Sequence, residues 1–174
     1  MSSDSPSIRY AGVQDVPLIL RFIKEAAEEQ APGATVAATE DRLAQTLHFE
    51  PPSADGPVSP TRFAWVLLIY SPEGEAAGLL VYLHNYSTWT AAPGVCLEEL
   101  YVVPKYRRHG YGRMLIEAMA SAAREAGCAK MDWVCLQDNQ RALNFYRKLG
   151  AKNMQDWAVL KVDKEGIEQL ADGK

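Results

Sequence analysis

The stretch from Val95 to Ile116 reads VCLEELYVVPKYRRHGYGRMLI, and its reading decides the fold. Val95 to Val103 is apolar at both odd and even positions, which suits a strand covered on both faces. Pro104 stops it, and the loop KYRRHGYG opens directly into a segment with Leu115, Ala118, Met119, Ala122 and Ala126 at helical spacing. The helix is predicted over Gly112 to Ala126, with Gly127 as its C-terminal stop. A helix N-terminus presents unpaired backbone N–H groups and a partial positive charge, so a glycine loop feeding one suits phosphate binding. Gly110 and Gly112 let the backbone approach a ligand closely, while Arg107 and Arg108 add charge. A plain strand-to-helix turn would use the same glycines. A Walker-type loop is excluded because no Gly-Lys-Ser/Thr occurs, and Leu115 stands where a dinucleotide fingerprint needs its third glycine.

Glu98 and Glu99 lie inside this apolar strand, where a charge is costly unless paired or functional. Adjacent strand residues point to opposite faces, so at most one of the two is expected in any cleft. Burial would raise that residue's pKa and make it a plausible proton acceptor near neutrality. The alternative is that both sit at a splayed strand end and are simply solvated.

Outward from this unit, the pattern continues to alternate. Ser7 to Ala11 reads as a first strand, and Asp15 as the N-cap of a helix to about Gln30. That helix is expected to bury Val16, Ile19, Leu20, Ile23 and Ala27, and Pro32-Gly33 follows it. Glu40 to Phe49 reads as a shorter helix with Leu43 and Leu47 inward. Arg62 to Tyr70 and Glu75 to Tyr86 form a hairpin across Ser71-Pro72-Glu73-Gly74. Beyond the glycine loop, Ala129 to Leu136 is predicted as a strand, Asn139 to Leu149 as a capped helix ended by Gly150, and Trp157 to Val162 as a last strand. A short amphipathic helix around Lys164 to Leu170 closes the order. The prediction is an α/β fold, a mixed sheet with helices on both faces.

Its 174 residues, 48% of them hydrophobic and 23% charged, suit a single domain over 1–174. A chain this long can bury roughly 70% of its unfolded surface, so it needs no disulfides or metal to hold a core. Residues 1–6 are expected to be disordered. Glu50 to Thr61, EPPSADGPVSPT, with four prolines among twelve residues, is expected to be a loop. A net charge of -4 argues against nucleic acid as a partner. Cys96, Cys128 and Cys135 are too few and too scattered for a disulfide framework. His48, His84 and His109 form no metal-ligand spacing, so no metal is expected. The sequence shows no signal-type h-region and no run near the ~18 apolar residues of a membrane span, so a cytoplasmic or nuclear setting without membrane association is expected.

Taken together, these pieces resemble the GNAT superfamily of acetyl-CoA-dependent N-acetyltransferases over essentially the whole chain. The superfamily's pyrophosphate signature, Arg/Gln-x-x-Gly-x-Gly/Ala, stands here as Arg107-Arg108-His109-Gly110-Tyr111-Gly112. The strand LEELYVVPKY is similar to the one whose splayed end takes the pantetheine arm, and Asn139 to Ala151, NQRALNFYRKLGA, is similar to a second cofactor motif. Within the superfamily the chain resembles the spermidine/spermine and thialysine acetyltransferases through Tyr86-Ser87-Thr88-Trp89, Leu97-Glu98-Glu99, Asn139-Gln140-Arg141-Ala142 and Val162-Asp163-Lys164-Glu165. YSTW and NQRA lean toward the thialysine branch. The usual Tyr-Arg-Gly-x-Gly is altered, with Arg108 in place of a small residue. Ala31 to Thr39 lacks the acidic residues a polycation would need, although Glu25, Glu28 and Glu29 lie just upstream.

The resemblance implies a mainly antiparallel sheet, acetyl-CoA as co-substrate, no metal, a small-molecule amine acceptor and a homodimer. It implies cofactor contacts from Leu100, Tyr101, Val102, Arg107, Arg108, His109, Gly110, Tyr111, Gly112, Asn139 and Tyr146. Glu98 takes the place of the family's base, with Glu99 as the physical alternative. Tyr146 takes the place of the general acid that protonates the departing thiolate, although Leu143, Phe145 and Tyr146 would equally suit the core of an amphipathic helix. Acceptor contacts are implied for Trp89, Tyr86, Glu98 and Glu28. Trp89 either walls the acceptor slot or packs at an interface. A protein lysine or N-terminal amine as acceptor is the alternative within the enzyme class, and a non-catalytic acyl-CoA-binding module is the alternative outside it.

Overall fold

The computed structural model describes residues 5–52 and 61–173. The expected disorder of 1–6 and the proline-rich loop 50–61 fall largely outside those residues. The chain divides into two compact units, Met1–Trp133 and Val134–Lys174.

The first unit opens with β1 (Ser7–Tyr10), a short 3-10 turn and α1 (Val16–Gln30). Asp15 stands at the N-cap of α1, but its carboxylate is used otherwise. It takes a two-pronged pair from Arg9 at 2.7 and 2.9 Å and the Gly12 N–H at 2.7 Å, which hold it below the usual carboxylate range. Next come α2 (Glu40–Thr46), β2 (Leu47–His48), β3 (Ala64–Tyr70), β4 (Ala76–Ser87), β5 (Ala92–Val102), α3 (Tyr111–Glu125) and β6 (Lys130–Asp132). The sheet order is β1-β3-β4-β5-β6, with β2 paired to β3. The pairs β1/β3, β3/β4 and β4/β5 are antiparallel, while β2/β3 and β5/β6 are parallel. The fold class is thus as expected, a mixed and mainly antiparallel sheet.

Alternation along β3 and β4 separates two faces. Val66, Leu68, Leu79 and Val81 join Tyr101 of β5 in one buried cluster with Ile19, Phe22 and Ala26 of α1. Leu67, Ile69, Leu80 and Tyr82 lie on the opposite face and are buried, as are Leu115, Met119 and Ala123 of α3, which packs against β3, β4 and β5. Each fully buried Leu, Ile or Phe contributes about 1.5–3 kcal/mol relative to exposure. Both faces of the central strands are therefore paid for by a helix.

Several expected boundaries are corrected. The buried stripe of α1 is Val16, Ile19, Phe22 and Ala26, because the Phe22 ring packs on Tyr101 with centroids 5.6 Å apart. That rotation leaves Leu20, Ile23 and Ala27 half-buried. The second helix stops at Thr46, since Leu47 and His48 leave it to pair with Ala64 and Trp65. The strand expected over Ala129 to Leu136 shortens to Lys130–Asp132.

The second unit holds α4 (Gln140–Lys148) and α5 (Lys164–Ala171), capped by the side chains of Asn139 and Asp163. No strand forms over Trp157 to Val162, where Trp157, Val159 and Leu160 are exposed. Their apolar pattern satisfies a strand's period but gains no partner strand, and without a ladder the pattern alone does not make one.

Candidate active site

The glycine loop is shaped by two left-handed residues, Arg108 at φ 69° and Gly110 at φ 83°. Gly110 is the N-cap of α3, and the space where a Cβ would stand is empty to 4 Å, so conformation rather than crowding demands glycine there. The first bond of α3 runs from Met114 N–H to Gly110 O at 3.0 Å. The N–H groups of Tyr111, Gly112 and Arg113 precede it and form the open positive end of a helix fifteen residues long. Tyr111 itself is buried and stacks on Tyr106, with centroids 5.8 Å apart, and the exposed His109 ring lies 6.2 Å from Tyr111. This is a conformation able to receive an anionic group at main-chain amides.

Arg107 turns the other way. Its Nε donates to Val102 O at 2.7 Å, and its Nη2 reaches both carboxylate oxygens of Glu29 at 2.6 and 2.7 Å. The guanidinium lies 5.7 Å from the Tyr101 ring centroid. Tyr101 is 5% exposed, and its hydroxyl donates to Glu25 at 2.9 Å. Burial first, and then that bond to a carboxylate, push the phenol up to about 12.

The two glutamates are separated by a β-bulge. Val81 pairs with Glu99, while the next residue of β4, Tyr82, pairs with Leu97. Glu98 is the extra residue, opposite nothing on β4 and exposed. The simple alternation expected of this strand is thereby broken: Glu99 shares the α1 face with Val81, and Leu97 shares the α3 face with Tyr82. Glu99 is half-buried, accepts from Gln30 Nε2 at 3.3 Å, and is pushed above the usual carboxylate range, chiefly by burial. The β5/β6 ladder covers only Gly94 to Cys96, so β5 runs on through Leu100, Tyr101 and Val102 with no β6 residue beside it.

Trp89 sits at the tip of the β4–β5 hairpin, 89% exposed, and Tyr86 lies on its exposed flank opposite Pro93. Glu28 accepts the Gly33 N–H at 3.2 Å and so closes the end of α1. In the second unit, the Asn139 side chain accepts the Ala142 N–H at 3.0 Å as a helix cap. Tyr146 is half-buried on α4, with its ring 5.2 Å from Phe145. Among the described residues no group of three or more His, Cys, Asp or Glu side chains could hold a metal, and no helix is long and apolar enough to cross a membrane.

The structure thus brings Glu99, Tyr101 and Arg107 together against α1, and places Arg108 to Gly112 around the open helix end. Glu25, Glu29 and Gln30 were not among the candidate site residues drawn from the sequence. Their spacing along one helix was visible, but nothing in sequence says which strand that helix will face.

Residues 21–151 match the Acetyltransferase (GNAT) family. The chain is 33% identical over 176 residues to the thialysine N-epsilon-acetyltransferase of Mus musculus, covering 96% of this chain and 98% of that one. It is 26% identical over 197 residues to an L-ornithine N5-acetyltransferase of Arabidopsis thaliana, covering 94% and 86%. Among solved structures, an integron cassette protein from the mobile metagenome of V. cholerae shares the fold at a TM-score of 0.74 and 20% identity, covering 97% of this chain.

Proposed function

Because the chain belongs to the GNAT acetyltransferase family and is an acetyl-CoA-dependent acyltransferase, we propose that its acceptor is the side-chain amine of a small lysine-like or ornithine-like amino acid, with thialysine the preferred one. The end-to-end likeness to a thialysine acetyltransferase carries this reading, and the likeness to an ornithine acetyltransferase supports the same acceptor class. The residues present suit the co-substrate: the α3 amides and the glycine loop offer an anion site, and β5 past Cys96 offers main-chain groups with no β6 partner.

Acetyl-CoA supplies an activated acetyl thioester. A lysine-like amine with a pKa near 10.4 is neutral in only ~0.04% of molecules at pH 7, a deficit of about 4–5 kcal/mol. A carboxylate that accepts the amine's proton offsets it. In this reading Glu98, solvent-accessible at the bulge, accepts that proton, with a water between. Glu99, whose carboxyl burial pushes above the usual range, is the alternative. The amine nitrogen bonds to the acetyl carbon, the carbon–sulfur bond breaks, and the sulfur takes a proton from the Tyr146 phenol. A phenol near pKa 10 is protonated at pH 7 and suited to that donation. Main-chain N–H groups along Leu100 to Val102 meet the charge developing on the carbonyl oxygen. Arg108, His109 and the amides of Gly110 to Gly112 hold the diphosphate, and Trp89 and Tyr86 border the acceptor. The same reading includes a homodimer, supported by the family resemblance alone.

The test is acetyl-CoA-dependent thiol release with thialysine, lysine, ornithine, spermidine, diaminopropane and a basic peptide, each as sole acceptor. Saturable turnover is expected with the amino acids and little with the peptide. Turnover confined to the peptide would reassign the protein as a protein-modifying enzyme, and acetyl-CoA binding with no turnover on any acceptor would favour a non-catalytic module.

A further inference from the structure

Arg107 carries the first position of the loop signature, yet its guanidinium is spent on the protein. Nε is bound to the Val102 carbonyl at 2.7 Å, and Nη2 to both oxygens of Glu29 at 2.6 and 2.7 Å. The side chain is 20% exposed against 44% for Glu29, so the pair is partly shielded, a setting in which a forked, charge-assisted contact holds its geometry. Directly after it, Arg108 adopts φ 69°, one of only two left-handed non-glycine residues described, the other being Ala91. A side chain at φ near 60° costs roughly 1–2 kcal/mol and persists only where its surroundings enforce it. Arg107 is the anchor next to that residue, and Glu29 fixes the anchor from α1.

We infer that Glu29 is a positioning residue for acetyl-CoA binding: it acts through Arg107, tying the glycine loop to α1 and β5 so that the amides leading into α3 stay aimed at the diphosphate. Arg107 in this account does not contact the ligand, and its bond to Val102 satisfies a carbonyl on the part of β5 that β6 does not cover. The opposite arrangement is a mask, in which Glu29 withholds Arg107 from the phosphates and binding must displace it. The two differ in sign. Removing a mask tightens binding, whereas removing a support weakens it.

The inference rests on the acetyl-CoA reading, and the experiment separates their failures. Acetyl-CoA is titrated calorimetrically into the full chain, and steady-state turnover is measured, for the unmutated protein, Glu29→Gln, Arg107→Lys, Arg107→Gln and the double Glu29→Gln/Arg107→Gln. Glu29→Gln is expected to weaken acetyl-CoA binding about five- to tenfold, with kcat at saturation within about twofold, since the lost contact is an ionic fork outside the reacting centre. Arg107→Lys keeps the charge but not the fork and is expected to lose a similar factor. In the Arg107→Gln background, Glu29→Gln should change affinity by less than about twofold, because a residue acting through another has nothing left to act on. Unchanged or tighter binding in Glu29→Gln, or an equal further loss in the double variant, would overturn the positioning role while leaving the enzyme assignment standing. An unmutated chain that binds no acetyl-CoA would overturn both.

Discussion

At Glu99 the loss of solvation raises the carboxyl's pKa while the Gln30 amide and the Leu100 N–H lower it, and solvation wins. Glu98, one residue earlier, is held off the β4 ladder by the bulge and remains in solvent. Two neighbouring carboxylates thus stand in different environments, one exposed at the bulge and one half-buried against α1. Both residues were readable as candidates from charge in an apolar strand. Their division of environment was not, because one extra residue in a register leaves no mark in composition. Arg107 shows the same gap: its motif position was legible, but its partner Glu29 is 78 residues away. With Tyr146 as the proposed acid, Tyr146→Phe removes its phenolic proton, and turnover is expected to fall about a hundredfold while acetyl-CoA affinity stays within about twofold. Steady-state kinetics beside calorimetric titration checks this, and an equal loss of affinity and turnover in a folded variant would count against the acid role.

Elements followed the sequence wherever local signals and tertiary partners agreed. α3 formed within a residue of its expected span because its glycine stop, its apolar stripe and the sheet face above it all point the same way. The hairpin turn at Ser71 to Gly74 formed for a comparable reason, with Gly74 at φ 83° closing it. β2 shows tertiary pairing overriding helical spacing. Leu47 sits i+4 from Leu43, but the start of β3, which β1 does not cover, takes Leu47 and His48 into the ladder. This swap builds an aromatic stack that no local pattern indicated: His48 lies 4.1 Å from Trp65 in parallel planes, and His84 lies 4.9 Å from the same ring. Burial lowers both imidazole pKa values; at His48 the hydrogen bond to the Arg62 carbonyl opposes this and the Arg62 charge reinforces it, and at His84 the neighbouring His48 lowers the value further. The unfolded chain takes up these protons near pH 6.5 while the folded chain resists, so stability is complete above that value and declines as pH falls toward the folded pKa values. The melting temperature should therefore drop by a few degrees, roughly 2–4 °C, between pH 7.5 and 5.5, and the drop should shrink in His48→Phe. A melting temperature that rises on acidification, or a drop of the same size in the variant, would contradict this account of the stack.

For the whole molecule, the sheet order β1-β3-β4-β5-β6 places β5 as an interior strand reached by α1 on one face and α3 on the other. That topology is why one strand can carry a carboxylate pair at its bulge and lead from its terminus toward the open N-terminal end of α3. The alternation of strands and helices made the fold class legible, and the loop signature made the family legible. The acceptor was less so, because the side chains proposed to border it, Trp89 and Tyr86, are exposed and periodicity does not dictate their neighbours. The most direct test of the central claim is a competition. The protein is incubated with acetyl-CoA and an equimolar mixture of thialysine, ornithine and spermidine, and the products are resolved by mass spectrometry with the acetylated nitrogen assigned from fragments. Relative product yields then report the ratio of kcat/KM values directly. The account predicts acetylation on the side-chain nitrogen of the amino acids, with thialysine in excess. Acetylspermidine as the dominant product, or acetyl on the α-nitrogen, would contradict it.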